Sequence, residues 1–134
     1  MSENIKQIII LRKDLKMRKG KYINQACHSV MKLFLDSCKK TEISSETKLE
    51  FVYDKGSTWD LWLNGIFTKI VVSVNSEEEL LELYNTAKEK GLPCSLIEDV
   101  GLTEFHGVKT LTAVAIGPDN SDEIDKITGH LPLL

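Results

Sequence analysis

Four side chains in this sequence could share one piece of chemistry: Lys21, His28, Asp99 and Thr103. A lysine and a carboxylate held at one end of a sheet suit activation of a water molecule and stabilisation of a developing oxyanion. The same pair equally suits a structural ion pair, and residue types alone do not choose between the two. Other chemistries find less support. The sequence has no serine nucleophile elbow and no H-E-x-x-H. Arg18-Lys-Gly-Lys21 carries one glycine and no Ser or Thr after its lysine, so it is not a Gly-rich phosphate loop. His28, His106 and His130 are too scattered to suggest a metal site, and no metal is expected. Cys27 adjoins His28, but consecutive helical residues point about 100° apart, which does not suit a Cys/His pair.

These side chains need elements to position them. Six basic residues, Arg12, Lys13, Lys16, Arg18, Lys19 and Lys21, surround a single acid, Asp14. They follow the β-branched run Ile8-Ile-Ile-Leu11, which reads as a strand buried on both faces. They lead into an amphipathic helix predicted over 21–39. A cationic loop between a strand's end and a helix's start suits an anion, because free N–H groups and the helix dipole add to the side-chain charge. On that helix Ile23, Ala26, Cys27, Val30, Leu33 and Phe34 share one arc, expected to be the packed side. Lys21, Gln25, His28 and Lys32 form a narrow stripe opposite, which is either a ligand-facing row or a solvated face.

Further strands are predicted over 67–74, 92–98 and 110–116. Ser76-Glu-Glu-Glu79 is a capping box opening a helix that stops at Gly91, and a last short helix starts at 120–123 and stops at Gly129. Residues 40–66 are read as a helical insert of two short helices, from the capping boxes Thr47-Lys-Leu-Glu50 and Ser57-Thr-Trp-Asp60, although Leu49-Glu-Phe-Val-Tyr53 also alternates like a strand. Trp59 and Trp62 are expected to be packing residues. The order predicts an α/β fold: a single three-layer α/β/α domain over 1–134 with a mixed four-stranded β-sheet. In such sheets ligands bind beyond the carboxyl ends of strands. The basic loop and the loop opening Asp99-Val-Gly-Leu-Thr103 both meet that rule.

At 134 residues the chain can hold a core without staples. Three cysteines without C-x-x-C spacing argue against a disulfide framework or a zinc site. The amino terminus lacks the apolar core of a signal peptide, and no apolar run approaches the ~20 residues of a membrane span. The expectation is a cytoplasmic protein. Its net charge of −3 argues weakly against a nucleic-acid binder, but a local basic cluster acts within about 8 Å whatever the total.

The motif Arg12-x-Asp-Leu-x-Met-x-x-Gly-Lys21, followed by Gln25-x-x-His28, resembles the opening signature of the type-2 peptidyl-tRNA hydrolases, the archaeal and eukaryotic kind. Three further blocks match in order: Ser95-Leu-Ile-x-Asp99-x-Gly-x-Thr103, then Thr110 with Ala115-Ile-Gly-Pro118, then Ile124-Asp-Lys-Ile-Thr-Gly129 with Leu131-Pro-Leu-Leu134. The resemblance spans nearly the whole chain except 40–66. It implies hydrolysis of the ester joining a peptide to the 3′ end of tRNA, with peptidyl-tRNA as the RNA substrate, no cofactor, and a homodimer. A non-catalytic tRNA-binding or protein-interaction module on the same fold is the alternative.

The resemblance also implies roles. Asp99, alone or with His28, would orient or deprotonate the attacking water. Lys21 would stabilise the oxyanion or keep Asp99 ionised. Thr103 and Gln25 would hold water or the ester. Arg12, Lys16, Arg18 and Lys19 would grip phosphate, and Thr110 belongs to the matched substrate-side strand. Two departures stand near these positions: Arg18 replaces the usual small residue, and Glu104 the usual glutamine.

Overall fold

The computed structural model describes residues 4–101 and 105–134. Strand β1 (Ile5–Arg12) is central. A short 3-10 turn (Lys13–Leu15) leads to helix α1 (Lys19–Asp36). Strands β2 (Lys39–Ile43) and β3 (Glu46–Glu50), helix α2 (Thr58–Leu63) and strand β4 (Thr68–Val74) follow. Helix α3 (Glu77–Glu89), strands β5 (Cys94–Asp99) and β6 (Thr110–Asn120), and helix α4 (Ser121–Thr128) complete the order. The main sheet runs β4-β1-β6-β5; β4 is parallel to β1, whereas β6 is antiparallel to both β1 and β5. The expected mixed four-stranded sheet is therefore present.

Side chains alternate across β1, and each face has its own core. Ile8 and Ile10 pack with Val72, Val114, Ile116 and with Leu80, Ala87, Ile124 and Ile127 of α3 and α4. Ile9 and Leu11 pack with Ile97, Ala113 and with Tyr22, Ala26 and Val30 of α1. Local signals account for the helix starts. Ser76 Oγ accepts from the Glu79 N–H at 3.1 Å, satisfying an otherwise orphaned donor, and Ser57 Oγ does the same for Asp60 at 3.3 Å.

Residues 40–66 correct one expectation. Thr47-Lys-Leu-Glu50 forms strand β3, not a helix; it pairs antiparallel with β2 from Lys39↔Glu50 to Ile43↔Glu46. The Thr47 hydroxyl donates to Glu42 across the hairpin at 2.8 Å and so is spent on the cross-strand partner. Ser44, at φ 56, makes the tight turn. The second capping box does open a helix, α2, and the tryptophans pack as expected. Phe34, Phe51, Trp59, Trp62 and Phe67 form a continuous aromatic row, with Trp62 Nε1 donating to the Thr68 carbonyl at 2.9 Å.

The two sheet edges differ. The outer edge of β4 is covered by the carboxyl-terminal tail: the Ser73 N–H donates to Pro132 at 2.9 Å, and the Leu134 N–H to Val71 at 3.2 Å. Among the described residues nothing pairs with the outer edge of β5.

Candidate active site

The first turn of α1 and the end of β5 meet at one ion pair. Lys21 Nζ lies 2.6 Å from Asp99 Oδ2, with both side chains about nine-tenths buried. Gln25, one turn further along α1, donates to the same oxygen at 3.0 Å. The Gly101 N–H donates to Asp99 Oδ1 at 2.7 Å. Burial pushes the Asp99 carboxyl up, but the Lys21 hydrogen bond, the Gly101 N–H, the Lys21 charge and Gln25 together outweigh it and hold it below the usual carboxylate range. Asp99 is thus ionised at neutral pH. A carboxylate offers about four acceptor positions, so these three donors leave room for a water.

Each partner is itself positioned. Thr112 Oγ1, wholly buried on β6, donates to Gln25 Oε1, so the Gln25 amide must turn its nitrogen toward Asp99. Gly101 has φ +81, and a Cβ there would sit 2.5 Å from the Val108 carbonyl oxygen. Only glycine fits that turn, and the turn aims the N–H at Asp99. Met17, within the basic run before α1, is buried.

The packed face of α1 is therefore rotated from the expected arc, not reversed: Ala26, Val30 and Leu33 pack as expected and His28 and Lys32 stay exposed, while Lys21 and Gln25 turn inward. Lys21, Gln25, Ser29 and Leu33 face the sheet and are buried. Ile23, Met31, Phe34 and Leu35 are exposed, and so is Cys27. The buried polar row is satisfied by strand groups: Asp99 and Thr112 as above, and Ser95, whose hydroxyl donates to the Ser29 carbonyl at 2.7 Å.

The remaining expected site residues separate into groups. His28 is exposed, on a groove shared with Leu96, Ile97 and Glu98, and is not among the described donors to Asp99. Thr110 is opposite Asp99 in the β5–β6 register, with its hydroxyl on the Val108 carbonyl at 2.9 Å. Thr103 lies outside the described residues. Lys16, Arg18 and Lys19 are exposed around the start of α1. Arg12, expected on the phosphate grip, is engaged inside the fold. Its side chain is nine-tenths buried, it donates twice to Asp14 at 3.1 and 2.6 Å, and it donates to the Leu111 carbonyl at 3.0 Å. It ties β1 to β6 behind the basic rim. Thr112 and Ser29 went unrecognised in the sequence; the one signal, a hydroxyl interrupting the apolar run at Thr112, is weak alone. Among the described residues no three His, Cys, Asp or Glu side chains group to hold a metal.

The family model for peptidyl-tRNA hydrolase PTH2 matches residues 5–134, a span that includes both halves of this site. The chain belongs to that family. Similar proteins include the peptidyl-tRNA hydrolase of Methanocaldococcus jannaschii, 44% identical over 130 residues, 97% of this chain and 100% of the relative. The peptidyl-tRNA hydrolase of Methanothermobacter thermautotrophicus is 44% identical over 130 residues with the same coverage. That of Staphylothermus marinus is 43% identical over 129 residues, 96% of this chain and 94% of the relative. In this PTH2 chain, the signature residues Lys21, Gln25 and Gly101 converge on the carboxylate of a fourth, Asp99.

Proposed function

We infer that this protein is a peptidyl-tRNA hydrolase that cleaves the ester between a peptide and the 3′ end of tRNA. The observation that carries the reading is the whole-chain family match on residues that assemble a buried Lys21–Asp99 pair beside an exposed basic rim. In the proposed reaction a water held by Asp99 attacks the ester carbonyl carbon. The carbonyl oxygen becomes an oxyanion facing the Lys21 ammonium. Collapse breaks the bond to the ribose 3′ oxygen, which takes up the proton lost by water, leaving free tRNA and a peptide carboxylic acid that gives its remaining proton to solvent. The depressed Asp99 carboxyl is a weak base, so its task is to orient and polarise the water more than to hold its proton. Gln25 fixes the carboxylate, and Thr103 is assigned to holding water or ester.

Lys16, Arg18 and Lys19 are assigned to tRNA phosphates, with the start of α1 adding its N–H groups. His28 is placed on the approach to the site. A homodimer is the proposed assembly, supported by exposed apolar side chains at Leu61, Ile66 and Phe67 around α2. No helix among the described residues is long and apolar enough to cross a membrane, and a cytoplasmic location fits a substrate made during translation.

Release of free tRNA from N-acetyl-aminoacyl-tRNA, with Asp99→Ala as control, tests the activity. Turnover by the wild type and its loss in the variant support the reading. Binding of tRNA without turnover overturns it.

A further inference from the structure

Resting on that reading, we propose that the open edge of β5 is the peptide subsite, and that the peptide of peptidyl-tRNA adds to it as a parallel strand ending at Asp99.

The phase of the ladder is fixed by one bond. The Gly117 N–H donates to the Pro93 carbonyl at 2.8 Å, so that carbonyl points into the sheet. Across a trans peptide the next N–H points the opposite way, so the Cys94 N–H faces outward. Alternation along β5, with Cys94↔Ile116 and Leu96↔Val114 in register, then turns the N–H and C=O groups of Cys94 and Leu96 outward. Among the described residues none of these four groups has a strand partner. An unpaired edge of this kind is a template for an added strand.

The surroundings fit a peptide of unrestricted sequence. A groove of about 700 Å³ runs between α1 and β5 and is lined by Met31, Leu35, Leu96 and Ile97, with Glu98 toward the Asp99 end. Met31 and Leu35 are exposed, and methionine adapts to varied apolar partners. Main-chain bonding supplies affinity without reading side chains, which suits an enzyme whose peptide substrates have arbitrary sequence. The polarity follows from the chemistry. The esterified carboxyl end must reach Asp99 at the carboxyl end of β5, so the peptide runs parallel to that strand. The register shift between Ile97 and Glu98 bends β5 where it meets the site, as bulges often do beside active centres. At about 3.3 Å per residue, the strand accommodates about five peptide residues.

The test uses the wild-type enzyme on one tRNA esterified to N-acetyl-aminoacyl groups or to peptides of two to eight residues. KM is expected to fall about tenfold as the peptide lengthens and to level off near five residues. N-methylation of single peptide amides is expected to raise KM about tenfold at alternate positions only, because a strand presents alternate N–H groups to its neighbour. Leu96→Pro removes an outward N–H without breaking a bond to β6 and is expected to abolish the length dependence, with its thermal melt reporting the fold. If tRNA is released but KM ignores both peptide length and N-methylation, the edge proposal is overturned and the activity stands. If no substrate is cleaved, the activity reading itself falls.

Discussion

The Lys21 ammonium and the Asp99 carboxylate, 78 residues apart in the chain, approach to 2.6 Å and join the first turn of α1 to the last residue of β5. This pair binds the two signature loops into one site. It also makes each partner's chemistry depend on the other.

Removing Lys21 should act twice. Lys21→Ala takes away the cation facing the oxyanion and is expected to lower kcat about 10²–10³-fold. It also removes a main cause of the depressed Asp99 carboxyl. The acid limb of the kcat profile, below about pH 4 in the wild type, should move toward neutral pH in the variant. An acid limb unmoved by the substitution would show that Asp99 does not govern it.

Stability should depend on pH through the same carboxylate. The folded-state value lies below the unfolded reference of about 3.9, so the contribution is present above that reference and is lost as pH falls through the lower native value. Urea midpoints of the wild type and Asp99→Asn between pH 2.5 and 7 are the measurement. The wild type's steeper loss at the acid end should appear only below about pH 4.

Arg12 and the exposed lysines should separate cleanly. Arg12→Ala breaks a double contact to Asp14 and a bond to the Leu111 carbonyl, and is expected to cost about 2 kcal/mol of stability. Lys16→Ala and Lys19→Ala should change stability by no more than about 0.5 kcal/mol. Each should instead flatten the slope of log K against log salt for tRNA binding by about 0.7–0.9. Arg12→Ala with an unchanged melt and a flattened salt slope would restore it to the phosphate rim.

Gly101→Ala should damage the site through its backbone. The added Cβ meets the Val108 carbonyl at 2.5 Å in a left-handed turn. The expected cost is about 1–3 kcal/mol, and kcat should fall as the N–H leaves Asp99. Thermal melts with kcat measured well below the melt separate the two effects.

The mixed sheet was legible in the sequence because β-branched runs and capping residues are local signals, and Ser76 and Ser57 cap their helices as read. The Thr47 box misled because the same residues also alternate as a strand, and the partner that decides between the two, β2, is not encoded in the box. The α1 wheel placed Ala26, Val30 and Leu33 correctly on the packed side but put Lys21 and Gln25 on the wrong one, because the packed face is rotated toward them. A wheel shows which residues share a face, while the direction of that face is chosen by what waits across it.

By itself, the sequence determined the family signature, the order of the main-sheet strands and their helices, and the candidates Lys21, Gln25 and Asp99, but not the β2–β3 hairpin. Tertiary structure alone decided that Lys21, Gln25 and Ser29 turn inward, that Arg12 bonds Asp14 and the Leu111 carbonyl, and that Thr112 bonds Gln25. The physical reason is satisfaction of buried polar groups. A polar row can face a sheet only if strands far away in sequence supply partners, and here Asp99, Thr112 and Ser95 supply them.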